Sequence, residues 1–138
     1  MARSERLTFE WDAQGVRLTR RITREKPAPR GDDLEKPPRP DSLWVEVRRG
    51  DGDVVYRRGL RDAITQYAEL FEPDGRIRAV PYAPETGVFT VVVPLGEQAE
   101  TVAIVAGPHA ELAQPGLRAG PGEEGRPREL ATVSLGRD

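Results

Sequence analysis

The sequence contains no cysteine. That absence removes disulfide staples, thiolate nucleophiles and cysteine-ligated metals together. Histidine is almost as scarce. His109 is the only one, so a zinc site lacks its usual three or four N/S ligands, and a Ser-His-Asp arrangement would rest on one residue in a Gly/Pro-rich stretch. No run approaches the ~20 apolar residues needed to span a bilayer, and the start, MARSERLTFEWD, has no apolar signal core. A soluble, cytoplasmic protein without membrane attachment is expected. Neither sign of charge dominates: 21 basic and 23 acidic residues leave a net charge of -2, so no global field steers nucleic acid towards the chain. No Gly-x-Gly-x-x-Gly or Gly-Lys-Ser/Thr phosphate cradle is present. Two Trp and three Tyr are few for a sugar groove serving paired carboxylates. The expectation is a protein that is not an enzyme, with no catalytic residue, cofactor or metal ligand assigned.

What the chain does have is turn formers and charge. There are 14 Gly and 13 Pro, 32% of residues are charged and 37% hydrophobic, and the mean hydropathy is -0.59. Pro removes a backbone donor and Gly costs conformational entropy, which favours short strands and long loops over helix interiors. At 138 residues one domain spanning 1–138 is expected, burying roughly two-thirds of the surface of its unfolded chain.

The stretch LWVEVRRGDGDVVYRR, Leu43 to Arg58, carries the strongest local signal. An Asp-Gly pair between two β-rich runs marks a two-residue type I′ hairpin at Asp51-Gly52. That register places Gly50 opposite Asp53, Val47 opposite Tyr56, Glu46 opposite Arg57 and Val45 opposite Arg58. Leu43, Val45, Val47, Val54 and Tyr56 then form the core face. Trp44, Glu46, Arg48, Val55 and Arg57 form the outer one, with Glu46 and Arg57 paired across the strands. Gly50-Asp51-Gly52-Asp53 has the flavour of a calcium loop, but the turn explains it.

Leu7, Phe9 and Trp11 alternate with Thr8, Glu10 and Asp12, the period of a half-buried strand. A turn at Asp12 to Gly15 leads to Val16, Leu18 and Ile22, where Arg20 falls out of phase and predicts a bulge or an early exit from the core. Residues 26–41 hold five prolines and one large apolar residue, Leu34, and predict an exposed, solvated loop. Leu60, Ile64, Tyr67, Ala68 and Phe71 have helical spacing, yet the strand-rich flanks and the turn Glu72-Pro73-Asp74-Gly75 favour a strand from about Gln66 to Phe71. Its partner is Arg76 to Val80, with Phe71 opposite Ile77. GVFTVVVP, Gly87 to Pro94, is apolar on both alternate sets and predicts a central strand covered on both sides, or a strand with one face covered by a partner, with TVAIVA, Thr101 to Ala106, as its antiparallel neighbour. Residues 107–128 are expected to be mobile, and Glu129 to Leu135 to form a last strand at a sheet edge.

Seven to nine short strands with turns about every ten residues resemble an immunoglobulin-like or fibronectin type III-like sandwich over about Leu7 to Gly107. LWVEVRRGDGDVVYRR followed by GVFTVVVPLGEQAETVAIVAG is similar to the paired hairpins of small bacterial immunoglobulin-like accessory domains. No cysteine pair is present, and Trp44 does not match the buried tryptophan of antibody domains. The expected fold is therefore all-β: an antiparallel two-sheet immunoglobulin-like sandwich with long Pro/Gly-rich loops. The resemblance implies no single function.

The functional expectation is a non-catalytic protein-interaction or assembly module. The alternative is a carbohydrate- or small-ligand-binding accessory module supported by calcium. The candidate partner surface is Trp44 with Glu46, Arg48 and Arg57, joined by Arg17 and Arg21. An exposed Trp beside Arg suits a partner, unless a loop covers the indole or a bulge reverses the phase. A protein partner is expected, no nucleic acid and no membrane, and self-association is compatible with open sheet edges.

Overall fold

The computed structural model describes residues 2–60, 67–71, 77–81, 86–110 and 126–135. Among them there are nine strands and no helix: β1 (Arg3–Asp12), β2 (Gly15–Arg24), β3 (Leu43–Arg48), β4 (Val54–Leu60), β5 (Tyr67–Phe71), β6 (Ile77–Pro81), β7 (Gly87–Leu95), β8 (Thr101–Ala106) and β9 (Arg128–Ser134). Seven make two antiparallel sheets, ordered β2-β1-β7 and β4-β3-β8-β9. β5 and β6 pair as a separate ribbon with Phe71 opposite Ile77, the register expected from the sequence.

The two larger sheets share one core. Leu7, Phe9, Val91 and Val93 come from one sheet; Val45, Val47, Tyr56, Val102 and Ile104 come from the other. These are the alternate residues of their strands, so period two puts all of them on inner faces. Full burial of side chains of this size contributes roughly 1.5–3 kcal/mol each. Phe9 stacks on Phe89 across the β1–β7 pair, ring centroids 5.4 Å apart. Trp11, Leu43 and Ala106 close one end of the sandwich.

Bulges keep these faces in phase. Thr8 pairs with Arg20 and Phe9 with Leu18, leaving Thr19 as the extra residue. This resolves the phase conflict at Arg20. In the β3–β4 hairpin the predicted pairs Val47–Tyr56, Glu46–Arg57 and Val45–Arg58 are all present, but the turn differs. The Arg49 N–H donates to the Asp53 carbonyl and the Gly52 N–H to the Arg49 carbonyl, enclosing Gly50, Asp51 and Gly52 in a three-residue loop. Gly52 is left-handed, at φ 92°. The longer loop shifts the register by one, and a bulge between Val47 and Arg48 shifts it back, so Val54 faces Arg48 and Val55 packs on the core. The predicted inward Val54 and outward Val55 are thereby exchanged.

Two neighbour relations also differ from expectation. β7 is an edge strand, not a central one, and β8 lies in the opposite sheet between β3 and β9. The chain crosses between sheets at Gly96 to Glu100, where the Ala99 N–H closes a turn on Gly96 and the Glu100 N–H donates to the Arg48 carbonyl. β8, like β3, is covered on both faces: Val102 and Ile104 face the core, and Ala103 and Val105 pack with Trp44. On β7 Phe89, Val91, Val93 and Leu95 pack on the core, and Val88 is 63% exposed.

The 26–41 loop is exposed along most of its length, as its composition predicts, but it is pinned. The Asp32 N–H donates to the Arg57 carbonyl at 2.6 Å, and the Asp32 carboxylate accepts from the Gly59 N–H at 2.7 Å. Tyr56 donates its hydroxyl to the Pro29 carbonyl and Arg58 its guanidinium to the Arg30 carbonyl. β9 lies at a sheet edge as expected. Most of the segment expected to be mobile, 111–125, falls outside the described residues. Because Gly52 occupies the left-handed region, Gly52→Ala is expected to destabilise the protein by about 1–2 kcal/mol, measured by urea denaturation.

Candidate functional site

The outer face of β3 carries the residues that the sequence nominates, and they form a closed network. The Trp44 indole N–H donates to Glu46 Oε1 at 2.7 Å, and Arg48 donates through Nε and Nη2 to Glu46 Oε2 at 3.0 and 2.8 Å. Arg48 Nη1 also binds Glu129 on β9, reaching across β8. Small neighbours leave room for this layer: Gly59 sits opposite Trp44 on β4, and Ala103 sits opposite Glu46 on β8.

Of the two readings of the indole, exposed or covered, the covered one holds and the open patch is corrected: Trp44 is 3% exposed, packed with Ala103 and Val105 on the outer side of the sheet and not in the shared core. The face assignment therefore holds while the accessibility does not. Glu46 and Arg57 face each other in the ladder but do not pair. Glu46 is committed to Trp44 and Arg48, and the Arg57 guanidinium donates to the carbonyls of Asp33 and Lys36. Arg57 thus ties the Pro-rich loop to the same face. Side-chain reach beats direct opposition here, because Arg48 offers Glu46 two donors within its own strand, while the loop carbonyls claim Arg57.

Arg17 and Arg21 belong to β2 in the other sheet and do not join the Trp44 surface. Arg17 binds Asp12 at 2.7 Å. Arg21 binds the buried Glu5 at 2.5 Å and donates to the Ser134 carbonyl at 3.0 Å, bridging the two sheets along the β2–β9 side. All six nominated residues are thus held by internal contacts. At the hairpin tip Arg49 pairs with both Asp51 and Asp53, and the Asp53 N–H donates to Asp51 Oδ1. Among the described residues no group of three acidic or histidine side chains is placed to hold a metal ion. His109 is exposed in a turn, where its backbone N–H donates to the Pro40 carbonyl.

Electrostatics follow these contacts. The hydrogen bond from Arg48 holds the Glu129 carboxyl below its ordinary value of 4.5 against the opposing effect of burial. Burial opposes the Arg48 charge, but the bonds to Glu129 and Glu46 outweigh it and raise its pKa. Asp12 is lowered by the hydrogen bond from Arg17. Tyr56 is raised by burial.

The surface missed by sequence reasoning is the edge of β7. Each larger sheet has two edge strands: β2 and β7 in one, β4 and β9 in the other. β2 carries Arg17, Arg20, Arg21 and Arg24. β4 is sealed by Asp32, which takes the Arg57 carbonyl and the Gly59 N–H. β9 presents Arg128 and Glu129 and is bulged against β8. Charges, proline, covering loops and bulges are the usual protections of an edge, and on β7 the one such residue is Pro94, next to its last. β7, GVFTVVVPL, has no charge over its nine residues and, among the described residues, pairs only with β1. A cleft of ≈ 410 Å³ lined by Val47, Val55, Tyr56, Pro94 and Leu95 opens at its C-terminal end. The signal was present in the sequence as a nine-residue uncharged run, but two-sided hydrophobicity pointed to a central strand.

Truncation at Glu46 leaves a buried indole N–H and a half-buried guanidinium without their acceptor. Glu46→Ala is expected to cost about 1–3 kcal/mol, read from chemical denaturation. A carboxyl lowered in the folded state stabilises it above the unfolded pKa and loses that contribution as pH falls through the folded one. Thermal melts taken downward from pH 4.5 should therefore show a shallower acid loss in Glu129→Gln than in the wild type. No family model matches the chain, and comparison with curated proteins and with solved structures returns no match.

Proposed function

We propose that the protein is a non-catalytic interaction module that takes its partner by strand addition at the open edge of β7. The observation that carries this reading is the contrast between edges: β2, β4 and β9 are guarded, and β7, with Val88 63% exposed, has no covering strand or loop among the described residues. An edge of this kind offers a row of main-chain donors and acceptors, with alternate side chains to read the incoming strand. The closed state of the Trp44 network supports the same choice, because its hydrogen-bonding groups are already satisfied. Both tryptophans are buried, which speaks against a stacking platform for sugars.

The immunoglobulin-like reading belongs with this proposal. The order β9-β8-β3-β4 parallels the G-F-C-C′ order of variable-type domains, and β7 takes the place of strand E. The first strand departs from that pattern, because β1 lies at the centre of its sheet. Partner capture is expected to disappear in Val88→Lys and to persist in Arg20→Lys on the guarded β2 edge, scored by quantitative pull-down of tagged full-length chain. Equal capture by both variants would end the strand-addition reading.

A further inference from the structure

Which way the β7 main chain points can be read from its neighbour. Thr8 of β1 faces Thr90 of β7, and the Thr8 carbonyl accepts the Thr19 hydroxyl from the β2 side. In an antiparallel ladder, opposed residues exchange both bonds or neither, so Thr8 and Thr90 form a non-bonded pair. The 3.4 Å between their hydroxyl oxygens fits the closer approach of side chains in such pairs. The Thr90 N–H and C=O therefore point to the open side, and with them those of Val88 and Val92. Pro94, in the same phase, fits as well, since an edge strand tolerates proline where its missing N–H would face outward.

We infer that the partner taken at this edge is a second copy of the chain, with two β7 strands pairing antiparallel about a two-fold axis through Thr90. The inference rests on the strand-addition reading and adds the partner's identity. Two-fold pairing sets a strand against itself, so any charge on it tends to meet its own sign. β7 has none, whereas self-pairing of β2 would set arginines against arginines. With Thr90 opposite Thr90 of the second copy, Val88 of each chain faces Val92 of the other. Reciprocal main-chain bonds then form at each of these positions.

The flanking strand agrees with this register. On β1, Glu10 lies beside Val88 and Arg6 beside Val92. Each cross-strand row therefore runs Glu10, Val88, then Val92 and Arg6 of the second copy, with opposite charges at its ends. The central row is threonine throughout. The exposed Val88 gains an apolar neighbour, and the two three-stranded sheets join into one.

Sedimentation equilibrium of the full chain should give a species of twice the 15.3 kDa chain mass. Thr90→Lys, which opposes two ammonium groups on the axis, should weaken association by about tenfold or more. Far-UV circular dichroism should be unchanged, and melting should lose only its dependence on protein concentration. Mixing Thr90→Lys with Thr90→Glu should restore a heterodimer, an outcome specific to this register. A dimer indifferent to Thr90→Lys would overturn the inference. So would a wild type that stays monomeric at its highest soluble concentration, and amide exchange then separates the two levels. Fast exchange at Val88, Thr90 and Val92 would end self-pairing alone, leaving the edge open to another strand; protection in the monomer would end the strand-addition reading as well.

Discussion

A strand that meets a shared core on one face has little freedom of register, because sliding by one residue turns its whole apolar set outward. This constraint sets most of the architecture. Leu7 and Phe9 must face Val45, Val47, Val102 and Ile104 across the sandwich, and the local chemistry of one turn and one strand works against it. The three-residue loop at Gly50 to Gly52 displaces the β3–β4 ladder by one position, and the bulge beyond Val47 restores it. Thr19 does the same for β2. The bulges are where local geometry and core packing are reconciled.

Outside the core the molecule uses charge as mortar. Glu46 and Glu5 are both nearly buried, and each is held by an arginine that continues to a second element: Arg48 to β9, Arg21 to the end of β9 across the sandwich. Buried carboxylates are costly unless paired and hydrogen-bonded, and here each has its arginine in place. The arginine richness of the first half of the chain therefore reads as internal bracing in this fold, with the guanidinium fork suited to holding two acceptors at once.

Much of this was legible in sequence. Alternation at Leu7, Phe9 and Trp11 gave β1 its buried face, the Asp-Gly signal located the β3–β4 hairpin, and Phe71 opposite Ile77 followed from a turn at its own ends. These are local patterns, written within one strand or one hairpin. What was not legible depends on partners distant in sequence. GVFTVVVP and TVAIVA have similar compositions, and only the packing of Trp44 against Ala103 and Val105 decides that β8, of the two, is covered on both faces. Likewise Glu46 and Arg57 stand opposite, yet the pair is lost to an arginine two residues along and to two loop carbonyls. The open edge of β7 is a property of sheet order, which no single segment encodes.

The pinned 26–41 loop has a further consequence. By occupying the outer side of β4 through Asp32, it leaves strand growth a single direction on that flank of the sandwich. Among the described residues the β2-β1-β7 sheet has one uncharged border and one arginine-lined border, so the proposed strand addition would extend it once. In the proposed two-fold pairing, association through β7 would close on itself as a finite pair, whereas a heterologous contact would propagate.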